Sequence, residues 1–272
     1  MEPLLPRKIP RKPTMFAKYA QARKTHSWSS QFVPMRLSLP PSLGEDICYI
    51  SCIMPYNPFD PLYDDLPEII PIFSLADALL LPRGELPLNI FEPRYLAMVA
   101  DAIKGDRLIG IIQPTYKTGC VGRIVRFEET QDGRYMIALR GLCRFRLGDD
   151  VPDDVPQKNG DNTCGTYRRA HVSWAGFAND MARVGHLDIN KEHLKTLLRR
   201  YFEHQGLSMD WDLLDAVTEE GLFTTLAMVC PLPASEKQAL LEAACCKARA
   251  DLFIRLLEMA VTCQSKCQTT PH

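Results

Sequence analysis

The stretch "LPLNIFEPRYLAMV", Leu86 to Val99, decides how the chain is read. Leu86, Leu88 and Ile90 alternate with Pro87 and Asn89, the period of a half-buried strand. The pattern then turns at Phe91-Glu92-Pro93-Arg94-Tyr95 into helical spacing. Pro93 suits a first helical turn, where its missing N–H would have had no partner. The carboxylate of Glu92, one residue earlier, is favourable beside a helix N-terminus. Arg94 and Tyr95 then fall in the first turn, close enough to brace the preceding strand. A corner carrying Glu92, Arg94 and Tyr95 invites an active-site reading. A strand-to-helix joint accounts for the same residues with elementary conformational preferences, and it is the reading adopted.

Working outward, residues from Ile69 to about Trp174 keep a period near two. "IIPIFSL" and "LPLNIF" are predicted strands, "EPRYLAMVADAIKG" a helix ended by Gly105, and "RLIGIIQ" a buried strand. "GCVGRIVRFEETQDGRYMIALRGLCRFRL" gives two long strands joined at Asp132-Gly133, a pair that suits the positive φ angles of a type I′ turn. After the polar loop "DDVPDDVPQKNGDNT", the segment "CGTYRRAHVSW" alternates again and is expected to close the sheet. Short strands, one helix and a long hairpin predict a compact, curved β structure rather than a parallel α/β sheet.

From about Ile189 to Val261 the period changes to 3.6. "NKEHLKTLLRRYFEHQG" places Leu194, Leu197, Leu198, Tyr201 and Phe202 on one stripe, with Asn190 as N-cap and Gly206 just past the end. Ser208 and Thr218 are predicted caps for "MDWDLLDAV" and "EEGLFTTLAMV", with Pro231 and Pro233 breaking the second. Ser235 and Gln238 have capping-box spacing ahead of "KQALLEAACCKARADLFIRLLEMAV". Four or five helices with short links predict a C-terminal bundle, so the fold class expected is α+β.

The 272 residues are 46% hydrophobic and 24% charged, ordinary values for a globular chain. The net charge of -1 conceals an asymmetry. Residues 1 to 53 carry eight Lys and Arg against three Asp and Glu, which leaves the rest at -6. The first 66 residues, with "LLPRKIPRKP", "LPPS" and "PYNPFDP", have no sustained period and read as a basic, Pro-rich leader expected to be disordered. That leader is either an organellar transit peptide or a product of starting translation at Met1 rather than Met54. "ICYISCIM" is far short of the roughly 18 apolar residues of a membrane span, so no membrane partner and a cytoplasmic location are expected. The ten scattered cysteines, without a secretory leader, read as reduced thiols.

Several mechanisms lack their motifs. There is no Gly-x4-Gly-Lys-Ser/Thr run to cradle phosphates, no Gly-x-Gly-x-x-Gly turn and no Gly-x-Ser-x-Gly elbow. His171, His186, His193 and His204 never fall three or four apart on a helix with a Glu between them, as a helical zinc protease site needs. Cys48/Cys52 and Cys263/Cys267 are two Cys-x3-Cys pairs that could in principle hold zinc, but they lie at opposite ends of the chain. Cys245 and Cys246 point about 100° apart if helical, which disfavours a disulfide between them.

Ser235/Lys237 and Ser265/Lys266 are too close in sequence to face one another on a helix as a catalytic dyad. Arg123, Arg126, Arg134, Arg140, Arg144 and Arg146 could meet phosphates. Pairing with Glu128, Glu129, Asp132, Asp149 and Asp150 is the simpler reading, and the acidic body argues against nucleic acid. No catalytic, metal-binding or cofactor-binding residue is assigned, and no cofactor is expected.

"PIFSLADALLLPRGELPLNIFEPRYLAMVADAIKGDRLIGIIQ", with "GCVGRIVRFEETQDGRYMIALRGLCRFRL" after it, closely resembles the N-terminal substrate-binding, PUA-like domain of Lon ATP-dependent proteases. It is most similar to the stand-alone bacterial proteins made of that domain alone. The resemblance rests on "IPIFSL", the corner from Pro87 to Tyr95, Gly119-Cys120-x-Gly122 and "LRGLCRF", and runs from about Glu68 to Val261.

It implies a PUA-like β pseudobarrel lobe over 67–178 and a helical bundle lobe over 188–262, with 263–272 as a tail. In full-length Lon this region helps capture unfolded or degron-bearing polypeptides and supports hexamer assembly, and the ATPase and Ser-Lys protease domains follow it. The present chain ends where those would begin. The function expected is therefore a non-catalytic module for exposed apolar polypeptide or a protein partner such as a Lon-type protease. The alternatives are an adaptor or regulator of a protease acting in trans, and a PUA-like RNA-binding protein. The polypeptide-binding residues are unknown at this stage.

Overall fold

The structure is a computed structural model that describes residues 37–38, 60–76, 78–152, 167–182, 187, 189–209 and 218–267. Strands β1 (Ile69–Ser74) and β2 (Glu85–Ile90) lead into helix α1 (Pro93–Lys104). Strands β3 (Leu108–Ile112), β4 (Thr118–Glu129), β5 (Tyr135–Asp150) and β6 (Arg169–Ser173) follow. Helices α2 (Lys191–Gln205), α3 (Glu219–Val229), α4 (Ala234–Glu242) and α5 (Cys246–Cys267) complete an α+β fold. A two-residue antiparallel pairing also joins Leu37–Ser38 to Ser208–Met209. Among the described residues, no helix is long and apolar enough to cross a membrane.

The sheet runs β2–β5–β4–β3–β1–β6, and β6 returns to pair with β5, so five strands close into a ring. Only β1 and β3 are parallel. The 16-residue β5 makes this closure possible. Its first half bonds β2 and its last residues bond β6, while β4 lines its other edge. Two register shifts, between Val121 and Gly122 and between Ile124 and Arg126, supply the bending that a small ring needs.

Both faces of the sheet are covered. In β3, Leu108 and Ile112 enter a core shared by all five ring strands, with Ile70, Val121, Phe145 and Val172. Ile109 and Ile111 point the other way into a second core. That core also takes Leu86, Leu88 and Ile90 of β2 and, from the helices, Leu198, Phe202, Phe223, Phe253 and Leu257. Burial on both faces is why β3 is continuously apolar while β2 alternates. Gly141 marks the closest approach: a Cβ there would lie 2.1 Å from the Leu81 carbonyl oxygen. Its own backbone exchanges hydrogen bonds with Arg83 and Gly84.

Two predicted details differ. The hairpin is not a two-residue type I′ turn, which would need positive φ at both Asp132 and Gly133. Only Gly133 has it, at 76°. Thr130 and Arg134 still pair across the loop, and the Thr130 carbonyl accepts from the Gly133 amide. The result is a three-residue loop with glycine in the left-handed position, which lets Asp132 keep ordinary angles and pair with Arg134.

The second difference concerns Ser235 and Gln238. They form no capping box, because the Pro233 carbonyl already accepts from the Lys237 amide and the helix opens ahead of Ser235. Nor does one helix continue to Val261, since α4 stops at Glu242 and α5 starts at Cys246. Asn190 caps α2 by accepting from the His193 amide at 3.0 Å, Gly206 ends it at φ 65°, and Thr218 caps α3. The predicted helix "MDWDLLDAV" lies outside the described residues except for Met209.

Candidate functional site

The corner at Phe91 to Tyr95 is the joint predicted from its sequence. Pro93 opens α1 directly after Glu92. Glu92 makes no capping bond and instead accepts from Arg94 at 2.9 and 3.1 Å. The Arg94 guanidinium lies 4.5 Å from the centre of the Tyr95 ring, which packs on Phe73 of β1 with centroids 4.2 Å apart. Tyr95 therefore braces the strand. Arg94 does not, contrary to expectation, because its side chain is 56% exposed and reaches back only to Glu92 and Tyr95. Burial pushes the Tyr95 phenol up and Arg94 opposes it. Glu92 and Arg94 pair with each other at the surface, which is all a strand-to-helix joint asks of them.

Three of the hairpin arginines are matched by acids distant in sequence. Arg140 is held by both oxygens of Asp60 at 2.6 and 2.7 Å, and Arg123 reaches the same carboxylate at 3.2 Å. Asp60 belongs to the stretch read above as leader. Arg144, nearly sealed from solvent, meets Asp180 through Nε and Nη2, each at 2.8 Å, beside the Phe177 ring. Its Nη1 also donates to the carbonyls of Leu241 and Ala243 at 3.0 and 2.6 Å. Burial pushes this guanidinium down, but the Asp180 carboxylate more than reverses that.

Arg249 adds a bond from Nε to the Leu240 carbonyl at 2.9 Å. The last carbonyls of a helix have no partner within it. These two arginines supply partners and so fix the break between α4 and α5. Of the acids expected to pair with the hairpin, Asp132 meets Arg134, whereas Asp150 pairs with Arg168.

A second clasp holds α4 to the sheet. Gln113 donates to Gln238 at 3.2 Å, and Gln238 in turn donates to the Thr118 carbonyl at 3.1 Å. On α3, Glu220 receives two bonds from Arg83, at 3.0 and 2.8 Å.

Nucleophile and metal candidates do not assemble. Burial pushes the Cys143 and Cys230 thiols up to about 12 and raises Cys120 well above its ordinary value, so these are packing groups. Ser235 is exposed while Lys237 is buried, which separates that pair. Cys48, Cys52 and His186 lie outside the described residues, and so do the side chains of Cys263, Ser265, Lys266 and Cys267. Among the described residues no three His, Cys, Asp or Glu gather as metal ligands. His193 meets Glu258 at 3.0 Å on the surface.

The surface does present apolar side chains that sequence reading missed. Phe91 is 56% exposed and Phe127 45% exposed. Both stand at one end of the sheet, on opposite faces: Phe91 follows Ile90, the register partner of Tyr135, whereas Phe127 shares the face of Tyr135, whose ring packs edge-on against it at 4.9 Å. The signal for Phe91 was its phase. It falls out of step with Leu86, Leu88 and Ile90, so it faces away from the core they fill.

Comparison with known families matches residues 69–259 to the ATP-dependent protease La (LON) substrate-binding domain. The chain belongs to the Lon substrate-binding domain family. Lon protease 2 of Myxococcus xanthus is 28% identical over 211 residues, covering 71% of this chain and 24% of that protein. Lon protease of Anaeromyxobacter dehalogenans is 26% identical over the same length, covering 71% and 23%. The chain thus spans about a quarter of these curated Lon relatives. A solved Lon N-terminal domain protein from Xanthomonas campestris shares 24% identity over 69% of this chain and 97% of its own, with a TM-score of 0.46.

Proposed function

We propose that this protein is a non-catalytic module that binds exposed apolar polypeptide, using the rim around Phe91 and Phe127. The observation that carries the reading is the family match over 69–259. The rim supplies the chemistry, because aromatic side chains left in solvent at one end of a rigid sheet can cover apolar groups of an unfolded chain. The absence of a phosphate-binding Gly-x4-Gly-Lys run in the sequence and the separation of Ser235 from Lys237 support binding without ATP hydrolysis or cleavage. The same family match also fits a second reading, in which the module serves as an adaptor for a Lon-type protease acting in trans. The RNA reading is disfavoured, because Arg123, Arg140 and Arg144 are engaged by Asp60 and Asp180.

The test mixes the protein with an unfolded model substrate, with and without ATP, and scores binding and cleavage together. Binding without cleavage is expected in both conditions. Phe91→Ser combined with Phe127→Ser should weaken it by about tenfold while the melting curve is kept. Cleavage that persists through repurification would overturn the reading, and co-purification with a Lon-type hexamer would select the adaptor form.

A further inference from the structure

β4 runs on past its neighbour β3. Their pairing ends at Arg123, and the last bond on that side joins the Ile124 amide to the Arg107 carbonyl. Beyond it β4 is paired along one side alone, with β5. The Thr130 amide turns to that side and bonds the Arg134 carbonyl. Main-chain groups alternate in direction along an antiparallel strand, so those of Glu128 also turn to β5, while those of Phe127 and Glu129 turn outward. Among the described residues no hydrogen-bond partner meets them there.

Side chains alternate as well. Phe127, 45% exposed, shares one face with Glu129 and with Tyr135, whose ring packs against it. Arg126 and Glu128 take the other face. Glu128 and Glu129 do not pair with the hairpin arginines as the sequence suggests: both are exposed, and neither has a charge partner among the described residues. The nearby positive groups are matched already. Arg134 pairs with Asp132 at 2.8 Å, and the Glu85 carboxylate supports the charge of Arg126.

An edge with unpartnered main-chain groups can take an extended chain as a further strand, the main chain supplying bonds and alternate side chains the selectivity. Charge decides the occupant here. A second copy fits poorly, because matching Phe127 of one copy to Glu129 of the other sets the two Glu128 side chains directly opposite, where like charges repel. A segment carrying lysine or arginine meets Glu128 and Glu129 with opposite charge, and an apolar side chain on it covers Phe127.

We infer that the far end of β4 binds an extended polypeptide segment antiparallel along Phe127 to Glu129, selecting a lysine or arginine two residues before an apolar side chain. Antiparallel addition is the more stable per residue. In this register the basic residue faces Glu129 and the apolar residue faces Phe127, each exchanging an amide and a carbonyl bond with its partner. A basic residue between them faces Glu128. The inference rests on the polypeptide-binding reading and adds to it the order of side chains in the captured segment.

The test titrates the whole protein with short labelled peptides centred on Lys-Lys-Leu, following affinity by fluorescence anisotropy and the place of binding by amide hydrogen exchange. Protection of the Phe127 and Glu129 amides is expected. N-methylation of the leucine, which removes the donor aimed at Phe127, should weaken binding by about tenfold. N-methylation of the second lysine, whose amide faces away from β4, should be tolerated. Replacing both lysines by glutamine should also weaken binding, and Glu128→Gln with Glu129→Gln should erase that preference without moving the melting curve.

Equal binding after N-methylation of the leucine, no protection at Phe127 and Glu129, or a lysine preference untouched by the glutamine variants would overturn the edge site. Polypeptide binding itself survives those outcomes as long as the unfolded model substrate is still bound. If neither the peptides nor that substrate bind, both readings fall.

Discussion

The corner at Glu92 to Tyr95 and the junction around Arg144 are built from the same parts. Each sets an arginine between a carboxylate and an aromatic ring, with the guanidinium 4.5 Å from Tyr95 in one and 4.8 Å from Phe177 in the other. At the corner the ion pair stands in water, its side chains 56% and 45% exposed. At the junction the corresponding values are 4% and 7%, and the same guanidinium also terminates a helix. Charge interactions strengthen as water is excluded, and so does the penalty for breaking them. The motif most conspicuous in the sequence is therefore the energetically lighter of the two.

That contrast is open to direct attack. Arg144→Ala should have the largest effect, about 3–5 kcal/mol in urea unfolding, because it strands the Asp180 carboxylate and uncaps α4. A loss below about 1 kcal/mol would make the junction no heavier than the corner. Gly141→Ala, three residues earlier on β5, should cost about 1–3 kcal/mol or more by forcing the Leu81 carbonyl away.

Alkaline pH provides a third measure. Burial, then the nearby Asp180 carboxylate, raises the Cys143 thiol from 9.0 to about 12. The folded protein therefore holds this proton where the unfolded chain has lost it. The contribution is fully present below pH 9.0 and is lost as pH rises toward about 12. Cys143→Ala should flatten the fall in denaturation midpoint over that range, with the part due to Cys230 remaining. Parallel curves for parent and variant would locate the alkaline weakness elsewhere. Arg94→Ala should have the smallest effect, below about 1 kcal/mol, with polypeptide binding unchanged; a larger loss of stability would put the corner on a par with the junction.

What could be read in advance follows the reach of each interaction. The strands, α1, the Asn190 and Thr218 caps and the stripe from Leu194 to Phe202 were legible, because burial on one face leaves a period in the chain. The Asp132-Gly133 turn was found but mistyped, since the dipeptide fits two loop lengths and only cross-strand register separates them.

The split between α4 and α5 was not legible. No helix stop signal stands in "LLEAACCKAR", whose Arg249 reaches only the Leu240 carbonyl, and the remaining partners come from Arg144, about 100 residues away. Asp60 and Asp180 were missed as partners for the same reason. The exposed aromatic rim shows no motif either, being an interruption of phase at Phe91.

The ring has one more consequence. Because β6 closes back onto β5, the strand edges left open among the described residues are that of β2 and that of the far end of β4, beyond Arg123, and Pro87 interrupts the row of amide donors on β2. On the function proposed above, the module is offered extended segments able to add on as a further strand and seed aggregation. On β2 that template is broken at Pro87. A segment bound there is held by its side chains and can be let go without unzipping a ladder of main-chain bonds.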